Sequence, residues 1–167
     1  SNKYDVIIIG AGAAGMMCAI ESGKRGKSVL LVDHAVKIAE KIRISGGGRC
    51  NFTNINTQPK NFISQNPNFS ISALNQYTPH DFIELIKKHN IAYHEKTLGQ
   101  LFCDHKSQLI IDMLLSECNQ ANVKIKKSFV VDKVEKLNDE YIVINNNDKH
   151  FSKSLVIATG GLSIPKI

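Results

Sequence analysis

The chain has 167 residues, of which 43% are hydrophobic and 22% are charged, and its 21 Lys and Arg against 15 Asp and Glu give a formal net charge of +6. This composition excludes an intrinsically disordered chain, because enough apolar surface is present to offset the entropy that folding costs. The four cysteines are too sparse and too irregularly spaced for a disulfide framework, and the absence of a C-x-x-C pair disfavours a zinc ribbon and a thioredoxin-type dithiol, so a reducing, cytoplasmic setting is expected.

The first 33 residues predict a βαβ unit. Residues 4–9 form a β-branched run typical of a strand buried on both faces, a small-residue helix follows to about residue 23, and residues 28–32 form a second buried strand. At this length the two strands are expected to be parallel, with a right-handed crossover. The uncharged run 6–20 is too short to span a bilayer and carries glycines at fixed spacing, so we expect no membrane partner.

The middle of the chain predicts a long loop followed by helices around a hairpin. Residues 34–65 are expected to be a loop with one short helical stretch, and a loop of this length is usually functional. Thr78, followed by Pro79 and Asp81, predicts the start of a helix. Residues 92–103 indicate a hairpin, and residues 107–121 a strongly amphipathic helix.

In the last third of the chain the hydrophobic periodicity changes to two, as in β-strands. Segments 124–137, 141–145 and 150–152 predict a small antiparallel β-meander. Residues 154–158 then predict one more buried strand, which a Thr-Gly-Gly sequence ends.

The glycine pattern Gly10-x-Gly12-x-x-Gly15 lies between the first strand and the first helix. In this context Gly10 permits a tight turn, Gly12 lets the backbone approach a pyrophosphate, and Gly15 lets the helix pack on the strand. The first helical residues, Ala13 and Ala14, would then point their amides at the phosphate charge. The pattern predicts a dinucleotide site.

Asp33 supports this prediction, because it ends the second strand 23 residues after Gly10. A carboxylate at this position accepts hydrogen bonds from the ribose hydroxyls of the adenosine and repels the additional phosphate of NADP.

The stretch 45–54 is the most specific sequence feature of the chain. Its glycine-rich backbone can offer amide donors to a phosphate or to the polar edge of a flavin, and its arginine can add a charge-assisted contact. No second cysteine lies within a few residues of Cys50, so we expect Cys50 to be a packing residue and not part of a redox disulfide. No spacing in the chain indicates a metal site. The candidate ligand-binding residues here are Ser45, Gly46, Gly47, Gly48, Arg49, Cys50 and Asn51.

With Lys41 ahead of it and Ala-Thr-Gly-Gly behind, this stretch resembles the bacterial YhiN/BaiN-like flavoproteins, a family with aminoacetone-oxidase-like members. The resemblance covers essentially the whole chain. It implies FAD as the cofactor and an α/β, Rossmann-like fold of the glutathione-reductase class, with a parallel central sheet and a small antiparallel β-meander as crossover. It also implies that backbone near Val134 lines the adenine and that the second fingerprint, Ala158, Thr159, Gly160 and Gly161, approaches the cofactor.

Three positions depart from the family pattern. Asp33 stands where glutamate is usual, which shortens the reach to the ribose without changing the role. Ala39 replaces a common glycine, and Cys103 stands where proline is common.

By this resemblance the chain is the FAD-binding part of a flavin-dependent oxidoreductase that transfers hydride between FAD and a small molecule, with NAD(P)H open as electron donor. Residues 1–167 are expected to be the N-terminal part of the FAD domain, without the substrate domain and the final cofactor-contacting segment. The alternatives are an inactive, truncated dinucleotide module and a flavin-dependent RNA-modifying enzyme. The lysine clusters lack interleaved aromatic residues, which disfavours nucleic acid as a partner. The sequence indicates no substrate, no catalytic acid or base and no oligomeric state.

Overall fold

The computed structural model describes residues 2–146 and 148–161. Five α-helices and nine β-strands are present in these residues, with 3-10 turns at Ser45–Gly48 and Pro59–Asn61. In chain order they are β1 (Lys3–Ile9), α1 (Ala13–Lys24), β2 (Val29–Val32), α2 (Glu40–Ile44), β3 (Asn51–Asn54), α3 (Ile71–Gln76), α4 (Pro79–Lys88), β4 (Tyr93–Glu95), β5 (Gln100–Cys103), α5 (Gln108–Gln120), β6 (Lys124–Lys126), β7 (Lys133–Leu137), β8 (Glu140–Asn145) and β9 (Asp148–Ile157).

The chain divides into two compact units. The described residues up to Ile42 and from Leu114 onward form the first unit, and Arg43–Met113 form the second.

The first unit contains a six-stranded sheet in the order β6-β2-β1-β9-β8-β7. Strands β6, β2, β1 and β9 are parallel, whereas β8 and β7 are antiparallel additions. Ile7 and Ile8 of β1 and all four residues of β2 are buried, which covers both faces of the sheet, as their β-branched sequences predict. One face packs into a core cluster of Ile7, Leu30, Val32, Phe129 and Val143. This arrangement confirms the predicted Rossmann-like α/β fold with a mostly parallel central sheet.

Two predictions about the last third of the chain are wrong. Residues 124–126 form β6, which pairs with β2 in the parallel sheet and not within the meander. The segments 150–152 and 154–158 belong to one strand, β9, which pairs with β8 at its start and with β1 along its length. Alternation of polar and apolar residues does not reveal which strands pair, because a strand keeps its period of two whatever its neighbours are.

The second unit contains a three-stranded antiparallel sheet in the order β3-β5-β4. The hairpin β4–β5 and helix α4 are confirmed, and α4 begins with a capping box in which Thr78 and Asp81 bond reciprocally. The loop prediction for residues 34–65 is wrong in part, because this region contributes β3 to the sheet. The short helix α3 has no counterpart in the predicted elements.

Candidate dinucleotide site and glycine-rich loop

The turn after β1 is held at the carboxyl ends of the parallel strands. The amide of Gly10 donates to the carbonyl of Val32 at 2.8 Å, and the amide of Ala158 donates to the carbonyl of Ile9 at 2.7 Å. Gly10 has a φ of +108°, and a Cβ there would lie 2.4 Å from the carbonyl oxygen of Ala158. Only glycine fits this position, because a side chain would collide with backbone.

The other two glycines of the pattern have different surroundings. A Cβ on Gly15 would lie 1.8 Å from the carbonyl oxygen of Gly10, so Gly15 is required for the close packing of α1 on the turn. A Cβ on Gly12 would meet nothing within 4 Å. Protein packing therefore does not require a glycine at position 12, whereas a ligand that approaches the backbone would.

Helix α1 presents its N-terminus beside this open position. Its first intrahelical hydrogen bond is donated by Met16 to the carbonyl of Gly12 at 2.9 Å, so the amides of Ala13, Ala14 and Gly15 precede the helical bonding pattern. The first turn carries no acidic residue. The helix dipole and these amides make the turn suited to an anionic group.

Asp33 follows β2, and backbone amides from two segments hold its carboxylate. Its Oδ2 accepts from the amide of Ala11 at 2.7 Å, and its Oδ1 accepts from the amide of Ala35 at 2.8 Å. The carboxylate is 13% exposed, with Nδ1 of the exposed His34 at 3.5 Å from Oδ1. Each carboxylate oxygen has a second acceptor position, so Asp33 can still accept from a hydroxyl pair.

The turn after β9 lies against the glycine turn. Gly160 has a φ of +79°, and a Cβ there would lie 3.4 Å from Nζ of Lys41. The same Nζ donates to the carbonyl oxygen of Gly161 at 2.5 Å. Lys41 therefore holds the second fingerprint in place and keeps a positive charge next to it.

Val134 lies on β7, opposite Val143, and β1, β9 and β8 separate this strand from β2 in the sheet. The segment whose amides bond to the backbone of Asp33 and Ala35 lies earlier in the chain than Val134. The amide of Phe129 donates to the carbonyl of Asp33 at 2.9 Å, and that of Ser128 to the carbonyl of Ala35 at 3.2 Å. Sequence analysis missed Phe129, Ser128 and Ala11, because all three act through backbone atoms that side-chain type does not reveal.

In the second unit, the residues 45–51 form a tight loop with a left-handed backbone. Gly46, Gly47 and Gly48 have φ values of +58°, +67° and +87°. A Cβ on Gly46 would lie 2.7 Å from the ring of Phe102, whereas Cβ atoms on Gly47 and Gly48 would meet nothing within 4 Å. The loop therefore requires Gly46 for packing and leaves the backbone of the next two glycines open.

Hydrogen bonds tie this loop to the rest of the second unit. The amide of Cys50 donates to the carbonyl of Ser45 at 2.9 Å, and the amide of Cys103 donates to the carbonyl of Arg49 at 3.1 Å. The amide of Ser107 donates to the carbonyl of Gly48 at 2.8 Å. The amides of Arg49 and Cys50 are turned into the loop itself, so they are not free for a ligand.

The two cysteines of this region, Cys50 and Cys103, are buried. Cys50 is 5% exposed, and burial, with a smaller contribution from Cys103, raises the pKa of its thiol to about 12. Burial beside Asp104 raises the pKa of Cys103 to about 11. A thiol that stays protonated at neutral pH is a poor nucleophile, which agrees with the packing role predicted for Cys50.

The structure thus groups the predicted residues in two sets. Gly10–Gly15, Asp33, Lys41 and 158–161 converge at the carboxyl ends of the parallel strands of the first unit, which is where ligands bind in open α/β sheets. Residues 45–51 form their own loop in the second unit. Among the described residues, no helix is both long and apolar enough to span a membrane, and no three His, Cys, Asp or Glu side chains are grouped as metal ligands.

Comparison with known proteins agrees with this architecture. The chain is 51% identical to the ribosomal RNA dihydrouridine synthase of Escherichia coli K12, over 98% of this chain and 41% of the relative. It is 50% identical to the protein of the same name from Haemophilus influenzae, over 99% of this chain and 42% of the relative. The chain therefore spans about two fifths of the length of these relatives.

A solved structure, the 3-ketosteroid-Δ4-(5α)-dehydrogenase of Rhodococcus jostii RHA1, shares the fold with a TM-score of 0.67 at 12% identity, over 96% of this chain and 46% of that protein. Neither of the two sequence relatives is named for aminoacetone oxidation, so the predicted resemblance holds for the family and not for that activity. The family model described as "HI0933-like protein Rossmann domain" matches residues 4–167. The chain therefore belongs to the HI0933-like Rossmann domain family.

Proposed function

We propose that the first unit binds FAD at the carboxyl ends of β1, β2 and β9. The observation that carries this proposal is the open backbone at Gly12, at the N-terminus of α1 and within the turn whose Ala11 amide is bonded to Asp33. The fit is chemical as well as spatial, since the diphosphate needs amide donors and room, and the adenosine ribose needs an acceptor pair.

Each residue of this site has a distinct task in the proposal. The amides of Ala13 and Ala14 stabilise the diphosphate charge, and Asp33 accepts from the ribose hydroxyls. Thr159 and Gly160 approach the cofactor from the turn after β9, which Lys41 holds in place through the carbonyl of Gly161. When bound, FAD supplies the two-electron chemistry of hydride transfer.

Backbone of the segment 128–131 is a better candidate for the adenine side of the site than Val134. The amide of Phe129 bonds to the carbonyl of Asp33 itself, whereas β7 lies at the far edge of the sheet order. For the loop 45–51 in the second unit, we propose that the open backbone of Gly47 and Gly48 and the exposed Arg49 bind a polar or anionic group.

Purification of the full-length gene product tests the cofactor assignment. The proposal predicts a yellow protein with the visible absorbance of a flavin, which chromatography of the acid-released cofactor identifies as FAD and not FMN. A colourless protein that takes up no FAD on reconstitution would contradict the proposal.

We further propose that the whole protein reduces uracil bases in ribosomal RNA. The relatives at 51% and 50% identity are named for this reaction, which favours the RNA-modifying alternative over a small-molecule substrate. In such a reduction a hydride and a proton add across the C5=C6 double bond of uracil. The two electrons come from reduced flavin, and a reductant of the NAD(P)H class restores them.

A gene deletion tests this substrate assignment. Ribosomal RNA from a strain without the gene is expected to lack a dihydrouridine that the complemented strain contains, seen by mass spectrometry as the loss of two hydrogens from one nucleoside. Identical nucleoside profiles in the two strains would contradict the assignment, and the FAD proposal would still stand on its own test.

A further inference from the structure

The second unit carries a segment of unusual exposure between β3 and α4. Every residue from 60 to 77 is exposed except Ser70 and Leu74. We call these residues the exposed segment 60–77. The first half is held by local bonds, such as those of Ser64 with the amide and carbonyl of Asn66, rather than by a buried apolar face.

The exposed segment 60–77 presents large apolar side chains to solvent. Phe62 is 42% exposed, Ile63 101%, Phe69 60%, Ile71 38% and Tyr77 38%. Single exposed apolar residues are ordinary, but five within 18 residues, three of them aromatic, are typical of an interaction surface.

The charge around the segment points to an anionic partner. No Asp or Glu occurs between Glu40 and Asp81, although the chain has 15 acidic residues. The exposed Lys60 lies within the segment, and the exposed His80 follows it. The segment itself therefore offers a polyanion only positive or neutral side chains.

The polar side chains of the segment suit base recognition. Gln65, Asn68 and Asn75 are exposed. Amide side chains offer both donors and acceptors, as the edges of unpaired bases require. Aromatic rings on which bases stack, amides for base edges and a cation are the groups that commonly bind single-stranded nucleic acid.

We propose that the exposed segment 60–77 binds unpaired nucleotides of RNA, with Phe62 and Phe69 as stacking rings and Lys60 as a phosphate contact. This inference rests on the proposed RNA function and adds the surface that recognises the substrate. An unpaired strand is the occupant, because bases within a duplex are already stacked on each other and offer no free face to a ring.

Fluorescence anisotropy of the full-length protein with labelled oligouridylate, and with a duplex RNA of the same length, tests the inference. We expect tighter binding of the single strand. Replacing both rings by leucine (Phe62→Leu with Phe69→Leu) keeps an apolar surface but removes stacking, and should weaken oligouridylate binding by at least about tenfold. Replacing both by tyrosine should leave it close to wild type. Lys60→Gln should reduce the slope of log Kd against log salt by about 0.7.

Leu137→Ala is the matched control, since Leu137 is a 63% exposed apolar residue of the first unit. It should leave RNA binding unchanged, and all variants should retain the FAD content of the wild type. Oligouridylate binding that survives the double leucine substitution would overturn the inference. A lower melting temperature in that variant would then identify the segment as a surface covered by another part of the protein.

The two proposals fail in different ways. If the wild-type protein neither binds oligouridylate nor restores dihydrouridine to ribosomal RNA, the RNA function is wrong, and this inference falls with it. If the wild type restores dihydrouridine while the doubly substituted protein binds RNA as tightly as the wild type, only the surface assignment is wrong.

Discussion

The backbone amide of Ala11 donates a 2.7 Å hydrogen bond to Oδ2 of Asp33, which joins the turn after β1 to the end of β2. The amide of Ala35 donates to the other oxygen of the same carboxylate at 2.8 Å. Asp33 thus shapes the glycine turn, in addition to the ribose-binding role that we propose for it. A carboxylate suits both tasks because it only accepts hydrogen bonds and has two oxygens.

Asp33→Asn should lower FAD affinity and stability together. The amide group of asparagine would place a donor against one of the two backbone amides, and it would lose a charge-assisted bond of about 1.5–3 kcal/mol. We expect FAD to bind at least about tenfold more weakly. Quenching of flavin fluorescence on titration measures the affinity, and circular dichroism measures the melting temperature.

Asp33→Glu is the matched variant, since it keeps the negative charge of the side chain. It should retain FAD binding because the longer side chain keeps both acceptor oxygens. Equal FAD affinity in the asparagine variant and the wild type would show that this carboxylate does not bind the cofactor.

Cys50 should make the protein sensitive to alkali. Burial raises the pKa of its folded-state thiol from 9.0 to about 12. The pKa of the thiol is higher in the folded protein than in the unfolded chain. Between about pH 9 and about pH 12 the unfolded chain has therefore released a proton that the folded protein keeps. The stabilising contribution of this thiol is complete below about pH 9 and is lost as the pH rises toward about 12. The free energy of unfolding should therefore fall over this window.

Urea titrations followed by circular dichroism at about pH 8 and about pH 10.5 measure this loss. Cys50→Ala should lose less stability between these pH values than the wild type, whereas Cys18→Ala, a half-buried cysteine of α1, serves as the control. The interpretation is wrong if Cys50→Ala and the wild type lose the same free energy of unfolding.

His150 should make the first unit sensitive to acid. It is 1% exposed, and its Nε2 lies 2.9 Å from Nζ of Lys126 and 3.0 Å from Oδ2 of Asp148. Burial lowers its pKa below 6.5, with further lowering by Lys126 and Lys124 against an opposing effect of Asp148. The unfolded chain therefore binds a proton at a higher pH than the folded one does, and the free energy of unfolding should fall as pH drops below about 6.5.

His150→Phe should flatten this dependence, because a phenyl ring fits beside Phe129, whose ring centroid is 5.5 Å from that of His150, and cannot titrate. Urea midpoints between about pH 7 and about pH 5 measure the effect. The exposed His80 offers the control substitution His80→Phe, which should keep the wild-type slope. Identical slopes in His150→Phe and the wild type would exclude His150 as the group responsible.

The βαβ unit and its ligand turn could be predicted from the sequence because each part has a local cause. Position 10 requires a positive φ, and position 15 has no room for a side chain, so both favour glycine. The capping box of Thr78 and Asp81 involves residues only three apart. In each case the residue type itself reports the geometry.

Other features depend on contacts between distant segments and could not be predicted. Strand β6 joins the parallel sheet because it pairs with β2, where Lys124 lies opposite Leu30, 94 residues earlier in the chain. Nothing in the three residues of β6 indicates that partner. The bonds of Ala11 and Phe129 to Asp33 are made by backbone amides, which every non-proline residue has. The extent of β9 could not be predicted either, since it pairs with β8 over residues 148–152 and with β1 over residues 151–157 without a change of period.

Gly15→Ala helps to separate folding from the role that we propose for Gly12, which is to leave room for the diphosphate of FAD. Alanine at position 15 would place a Cβ 1.8 Å from the carbonyl oxygen of Gly10, so it should lower the melting temperature whether or not FAD is present. Gly12 has ordinary extended dihedral angles (φ −86°, ψ −167°), and a Cβ at this position would meet no protein atom within 4 Å, so Gly12→Val should fold normally.

The most direct test is therefore the FAD affinity of Gly12→Val, measured by titration of the full-length apoprotein alongside its circular dichroism spectrum and melting temperature. We predict an apoprotein with the spectrum and melting temperature of the wild-type apoprotein that binds no FAD. Wild-type FAD affinity in a normally folded Gly12→Val protein would contradict the placement of the diphosphate and, with it, the proposed cofactor site.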